Sequence, residues 1–143
     1  MYKITSGIEM EHLFFPLPNV AKKMLFQSVN KSNYEGFIKA CLCLDSVNIL
    51  SISGHNTPLH YAVMYENFPF VHLLLTSDTI DTNEVNDEGM TPLMIAVKKG
   101  SDCVKILLAH ASCDKDLKNP LNDKTAFNYA LESGNFEIAN LLI

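Results

Sequence analysis

The feature that most constrains the fold of this chain is a repeat of 34 residues. Three similar segments, TPLHYAV at 57–63, TPLMIAV at 91–97 and TAFNYAL at 125–131, begin with threonines that lie 34 residues apart both times. A second apolar block follows each segment, and these blocks read FVHLLL at 70–75, VKILL at 104–108 and IANLLI at 138–143. Similarity at two places in each of three copies, with a constant period, indicates a repeat architecture.

The first segment of each copy has the pattern of a short helix. Thr57, Thr91 and Thr125 suit helix N-caps, because a threonine hydroxyl accepts a hydrogen bond from an unpaired amide of the first turn. Pro58 and Pro92 follow at the first helical position, where a missing amide hydrogen costs nothing. The pattern therefore predicts helices that start at these threonines.

Apolar residues then recur at helical spacing, so each helix has a buried face. Helices of this length are too short to be stable alone in water. A pair of them forms a thin layer with two apolar faces, and only stacking of such layers buries both. The predicted core consists of Leu59, Ala62, Leu74, Leu93, Ala96, Leu107, Ala130 and Leu141.

The three blocks and their period resemble the ankyrin repeat over about residues 53–143. The TPLH motif is complete once, from Thr57 to His60, while Met94 and Asn128 stand where the family has histidine. The resemblance implies an all-α solenoid of about four helix pairs with short hairpin-like fingers. The segment 113–125 is longer than the family's finger, a feature shared with inhibitor-of-NF-kappaB-like ankyrin proteins.

The repeat divides the chain into five segments. The first is an N-terminal extension that contains HLFFPLPN and either caps the array or docks on another protein. The second lacks the TPLH motif and is predicted to be a divergent repeat. The last is predicted to be a truncated repeat that stops inside its second helix. The boundaries are 1–22, 23–52, 53–86, 87–120 and 121–143.

Composition and charge narrow the function. The chain carries a formal net charge of −5 and no arginine, so it is a poor candidate for nucleic-acid binding. No apolar run is long enough to predict membrane insertion. The cysteines, which are Cys41, Cys43, Cys103 and Cys113, lack the spacing of a zinc site or a disulfide framework. We therefore expect no metal, cofactor or small-molecule substrate, and reduced thiols in the cytoplasm and/or nucleus.

The resemblance to ankyrin repeats implies that the chain binds another protein through the concave face of the array. The motif positions that point to that face in the family are Asn56, Met64, Tyr65, Asp87, Glu88, Met90, Lys98, Lys99, Lys124, Glu132 and Ser133. Their composition predicts a groove of mixed charge with an apolar centre at Met64, Tyr65 and Met90. Lys98 and Lys99 also suit the solvated C-terminal end of a helix, where positive charge is favourable.

No set of catalytic residues is visible in the sequence. His60 has the residue type of a catalytic base or metal ligand, but the resemblance implies that it bonds the threonine hydroxyl and a neighbouring backbone carbonyl. Cys113 and His110 are close enough in sequence to suggest a nucleophile and its base, although they lie where a helix runs into a finger. We expect a protein without enzymatic activity. The rival interpretations are a targeting segment of a larger enzyme or channel, an inhibitor-of-NF-kappaB-like regulator, and a small enzyme on this scaffold.

One finger residue resembles a modification site. Asn83 lies eight residues after Leu75 and eight before Thr91. In the ankyrin family, an asparagine at this position is the usual acceptor for β-hydroxylation by an asparaginyl hydroxylase. The alternative is structural, because asparagine is common in turns, where its side chain caps nearby amides.

Overall fold

The helices begin at the threonines that the repeat pattern marks. A computed structural model describes residues 18–31, 33, 35–36 and 54–143. The hydroxyl oxygens of Thr57, Thr91 and Thr125 accept hydrogen bonds from backbone amides three residues later, at 3.3, 3.2 and 3.3 Å. The predicted N-caps are thereby confirmed. The helices are α1 (Pro18–Lys31), α2 (Pro58–Met64), α3 (Phe68–Leu75), α4 (Pro92–Lys99), α5 (Cys103–Leu108), α6 (Ala126–Glu132) and α7 (Phe136–Leu141).

Each of α2, α4 and α6 is followed by a residue in the left-handed backbone region. Gly100 and Gly134 have φ of 66° and 69°, and Glu66 occupies the equivalent position with φ of 51°. Glycine adopts this conformation without strain, whereas a residue with a Cβ does not. The chain can then reverse, and Asn67 and Asn135 cap the next helices.

The helix pairs stack in one direction. Helices α1, α2, α4 and α6 pack side by side as an inner row, and α3 packs against α5 in an outer row. The arrangement confirms the predicted all-α repeat solenoid, and the described residues contain no strand. Helix α1 crosses the predicted boundary at residue 22 and buries Leu25 and Val29 in the core. The rest of the N-terminal extension and most of the divergent repeat lie outside the described residues.

The core lies between the layers, and seven of its eight predicted members are buried. The exception is Leu141, which is 40 % exposed, while Leu142 is 3 % exposed. The prediction was wrong because it carried the 34-residue period from Leu107. Leu107 lies 33 residues after Leu74, one short of the period, whereas Leu142 lies two full periods after Leu74. Leu142, rather than Leu141, therefore matches Leu74.

The finger before α6 is one residue longer than the finger before α4. The backbone amide of Asn86 bonds the carbonyl of Met90 at 3.1 Å, whereas that of Asn119 reaches Lys124 at 2.8 Å. This extra residue in the closed turn agrees with the longer finger read from the sequence. The two fingers are in contact, because a Cβ on Gly89 would lie 2.0 Å from Oδ1 of Asn119.

Candidate partner-binding groove

A shallow depression lies between α2 and α4, below the first of the two fingers. Its volume is about 160 Å³, well below the roughly 300–1,000 Å³ of small-molecule sites. We call this depression the groove. A cavity of this size suits one side chain of a partner rather than a whole ligand. Its lining residues are Met64, Asn86, Glu88, Met90, Ile95 and Lys98.

Aromatic side chains lie on α1, on α2 and at the C-cap of α2, which directly follows the groove residue Met64. Tyr65 is 51 % exposed, and its ring stacks almost parallel on that of Tyr61, with centroids 6.1 Å apart. The ring of Phe26 meets Tyr61 edge-on at 5.3 Å. The sequence prediction included Tyr65 and missed Tyr61. The signal for Tyr61 was the repeat itself, since Ile95 and Tyr129 are its equivalents at the 34-residue period.

Two predicted groove residues are buried between layers. Asn56 is 8 % exposed, and its Oδ1 accepts a hydrogen bond from Nδ2 of Asn86 at 2.9 Å. Met90 is 4 % exposed, so only a small part of it reaches the groove. Met90 lines the groove and Asn56 does not, and a contact of either residue with a partner stays a prediction. The finger folds back onto the helices, and its closing residues point inward.

Two lysine side chains approach the ring of Tyr129 on α6, and one of them, Lys98, lines the groove. The ammonium groups of Lys98 and Lys124 lie 5.7 and 5.9 Å from the centre of its ring, within the range of cation–π attraction. Lys124 also pairs with Glu132 at 2.6 Å, and this hydrogen bond raises the pKa of Lys124. Within the described part of the chain, Lys98 has no carboxylate within ion-pairing distance.

The remaining predicted contact residues have mixed surroundings. Lys99 is exposed and, like Lys98, has no ion-pair partner among the described residues. Asp87 is exposed and lies 2.5 Å from Nδ1 of His55. Ser133 is exposed, but its hydroxyl donates to the backbone carbonyl of Tyr129 at 2.9 Å.

His60 is occupied by structural hydrogen bonds at both ring nitrogens. Nε2 lies 2.9 Å from the carbonyl oxygen of Met90, so it carries the proton and donates. Nδ1 therefore accepts from the backbone amide of Thr57 at 3.0 Å and from its hydroxyl at 2.8 Å. Burial lowers the pKa of His60 to about 4, so the ring is neutral at pH 7. The structural role that the resemblance implied is confirmed.

The thiols in the described residues are buried or half-buried. Burial raises the pKa of Cys103, and burial together with Asp114 raises the pKa of Cys113 to about 11. Cys113 is thus a thiol, not a nucleophilic thiolate, at neutral pH. The His110 ring that could have served as its base bonds the hydroxyl of Ser112 at 2.8 Å.

Neither a metal-binding cluster nor a membrane-spanning helix occurs among the described residues. They contain no group of three or more His, Cys, Asp or Glu side chains placed to hold a metal ion. No helix among them is both long and apolar enough to cross a bilayer. Cys41 and Cys43 lie outside the described residues.

Asn83 connects two fingers. Its Nδ2 donates to the carbonyl of Ser112 at 2.8 Å, and its Oδ1 accepts from the amide of Asp114 at 2.9 Å. Its own backbone amide bonds the carboxylate of Asp81 at 2.9 Å. The side chain therefore joins adjacent repeats, while the backbone amide holds its own turn.

Comparison with known proteins assigns the family. The model of the family described as ankyrin repeats (3 copies) matches residues 19–119 and 59–143. The chain belongs to the ankyrin-repeat family. Ankyrin repeats are protein–protein interaction modules, and such domains are generally not enzymes.

Several curated proteins contain similar repeats. The chain is 33 % identical over 85 residues to mouse ankyrin repeat and SAM domain-containing protein 6, which covers 59 % of the chain and 10 % of that protein. It is 36 % identical over 73 residues to cortactin-binding protein 2 of Ornithorhynchus anatinus, and this match covers 50 % of the chain and 4 % of that protein. It is 36 % identical over 81 residues to a transient receptor potential cation channel subfamily A member 1 homolog of Caenorhabditis elegans. This match covers 54 % of the chain and 6 % of that protein. The matched part is thus at most a tenth of each of these longer proteins.

Proposed function

We propose that this chain binds a partner protein through the face formed by the inner helices and the fingers, with the groove at its centre. The observation that carries the proposal is the position of the groove. It lies between α2 and α4, has room for one side chain, and is lined by Met64 and Lys98. The exposed ring of Tyr65 comes directly after Met64 in the chain. Aromatic and methionine side chains are common hot spots and adaptable contacts in protein interfaces.

The apolar part of this surface is Met64 with Tyr65. Met64 is half-buried and lines the groove, and Tyr65 is held in place by its stacking on Tyr61. A ring that is already ordered loses little conformational freedom when a partner covers it. Tyr65 is therefore the residue expected to contribute most to binding.

Site-specific photo-cross-linking tests the proposal even when the partner is unidentified. A photoreactive amino acid is placed at Tyr65, and in a matched control at His72, an exposed residue of the outer helix α3. Cross-linked proteins are then identified by mass spectrometry. We expect a distinct product from position 65 alone. A product from position 72 with none from position 65 would assign binding to the outer face.

A second candidate is that the array is a targeting segment of a larger protein. It is favoured by the relatives, since the matched repeats form only 4–10 % of a SAM domain-containing protein, a cortactin-binding protein and a cation channel homolog. Sequencing the full transcript tests this. An inhibitor-of-NF-kappaB-like role and a cytoplasmic and/or nuclear location remain predictions from the sequence, and imaging of a fluorescent fusion tests the location.

We also propose Asn83 as an acceptor for β-hydroxylation. Support comes from the resemblance, and from the position of this side chain in a finger. The experiment is to incubate the folded protein with an asparaginyl hydroxylase, iron and 2-oxoglutarate, and to map added oxygen by peptide mass spectrometry. An oxygen on Asn83 supports the proposal. Its absence, or its presence on another residue instead, contradicts it.

A further inference from the structure

The charge around the groove differs from the charge of the chain as a whole. The chain carries −5, yet the ammonium groups of Lys98 and Lys124 both approach the ring of Tyr129, and Lys99 follows Lys98 in α4. Of these three ammonium groups, Lys124 has a carboxylate partner, Glu132, among the described residues. Lys98 and Lys99 also occupy the last turn of α4. This surface therefore presents two cations that are not neutralised by ion pairs within the described part of the chain.

One of these two cationic side chains, Lys98, lines the groove, whose wall is partly apolar. Lys98 lines the groove together with Met64 and Ile95. An apolar side chain of a partner that entered the groove would bring its neighbouring residues beside the ammonium of Lys98. A carboxylate at that point would gain a charge-assisted hydrogen bond. The apolar side chain would partly shield this hydrogen bond from water, and such shielding strengthens the attraction between the carboxylate and the ammonium.

From these two observations, which rest on the proposed function, we infer that the partner segment is acidic. We propose that it carries a large apolar side chain, which fills the groove, next to an aspartate or glutamate, which binds Lys98 and Lys99. A carboxylate is favoured over a phosphate because the chain contains no arginine, the residue whose planar fork best matches phosphate. A lysine binds a carboxylate as a compact point charge and needs no such fork.

The position of Glu88 sets the direction of the segment. Glu88 also lines the groove, on the finger, and is exposed. It would repel a partner carboxylate on that side. The acidic residue of the partner therefore lies toward α6 and away from the finger. Removing the charge of Glu88 should strengthen binding, whereas removing the charge of Lys98 should weaken it.

Selection from random peptides displayed on phage, with the full chain as bait, provides the probe. Enriched peptides are synthesised, and their affinities are measured by calorimetry for five proteins. These are the natural chain, the Lys98→Gln/Lys99→Gln double variant, Glu88→Gln, Lys105→Gln and Tyr65→Ala. Lys105 is an exposed lysine of the outer helix α5, so its variant removes a positive charge away from the groove. Each selected peptide is also made with phosphoserine in place of its acidic residue.

We expect enriched peptides to combine an acidic residue with an adjacent aliphatic or aromatic one. The double lysine variant should bind them roughly 3- to 10-fold more weakly, and Glu88→Gln about 2-fold more tightly, given the typical strength of exposed charge pairs. Lys105→Gln should bind as the natural chain does. The effect of the lysine variant should also shrink at high salt, because exposed charges are screened.

Four results would overturn the inference. One is enrichment of peptides that bind Tyr65→Ala more weakly but bind the double lysine variant as tightly as the natural chain. That result would leave the proposed function intact. Another is binding that requires phosphoserine, which would assign the lysines to phosphate. The third is the absence of any enriched peptide, since a short segment should suffice. Peptides that bind regardless of both Tyr65 and the lysines would contradict the proposed function as well.

Discussion

Nε2 of His60 donates a hydrogen bond to the backbone carbonyl of Met90 across 2.9 Å, and so connects the first helix of one repeat to the end of the next finger. The same ring accepts from Thr57 at the start of its own helix. One side chain thus fixes both the local cap and the stacking of two layers. Asn128, at the equivalent position of the last repeat, keeps the capping bonds to Thr125 at 2.8 and 2.9 Å.

The lowered pKa of His60 makes the stability of the array depend on pH. The ring stays neutral in the folded chain down to about pH 4, whereas in the unfolded chain it takes up a proton near its ordinary pKa of 6.5. The unfolded state therefore binds more protons between these values, so stability is full above pH 6.5 and is lost as the pH falls. We expect a loss of about 3 kcal/mol between pH 6.5 and 4, measured by urea unfolding at a series of pH values.

The control is His60→Asn, which resembles Asn128 in keeping an amide that can cap the helix. This variant should be less stable at pH 7 by about 1–3 kcal/mol, because the buried carbonyl of Met90 loses its donor. Its stability should fall less between pH 6.5 and 4 than that of the natural chain. Parallel pH profiles for the two proteins would show that carboxylates, not His60, cause the acid sensitivity.

The repeat pattern predicts the architecture because its signals are local and recur. Capping threonines and apolar spacing each act within one or two turns and agree in three copies, and two of these copies add a proline at the first helical position. Leu141 was assigned wrongly because α5 is displaced by one residue, and a fixed period cannot reveal such a shift. Ser101 stands where α3 and α7 have a capping asparagine, and its hydroxyl accepts from the amide of Cys103, at which α5 begins.

The candidate site is less predictable than the fold. Whether a residue just before the capping threonine faces the groove or the core depends on how the finger folds back. Met90 follows a closed turn and points inward, whereas Lys124 follows a turn with one more residue and reaches Glu132. Tyr61 could have been identified from its repeat position. Its stacking with Tyr65 requires the actual geometry of the helix.

The left-handed residue after α2 offers a stabilising substitution. Glu66 has φ of 51°, where a side chain is strained, and the equivalent positions hold Gly100 and Gly134. Glu66→Gly should raise the free energy of unfolding by about 1 kcal/mol. The mirror experiment is Gly100→Ala, which should lower it by a similar amount. Denaturant unfolding measures both, and a loss of stability in Glu66→Gly would mean that the carboxylate matters more than the backbone strain.

The corrected helix register makes opposite predictions for two leucines. Leu93 is 2 % exposed, and Leu93→Ala should cost about 2–5 kcal/mol through the lost contacts and the cavity left behind. Leu141 is 40 % exposed, so Leu141→Ala should change stability by roughly 0.5 kcal/mol or less. Both are compared by urea unfolding. A larger loss for Leu141→Ala than for Leu93→Ala would restore the register first read from the sequence.

Tyr65 and Met90 should separate binding from stability, although the sequence placed both at the centre of the groove. Tyr65 is 51 % exposed, so Tyr65→Ala removes contact area while costing less than about 1 kcal/mol of stability. Met90 is 4 % exposed, and Met90→Ala should cost about 2–5 kcal/mol because it opens a cavity beside the carbonyl that accepts from His60.

The two variants are compared by thermal unfolding and by affinity for a selected peptide. We expect Tyr65→Ala to weaken binding with little change in Tm, and Met90→Ala to lower Tm by several degrees while the folded protein still binds. Unchanged affinity in Tyr65→Ala would remove this residue from the interface, and an unchanged Tm in Met90→Ala would contradict its burial between the layers.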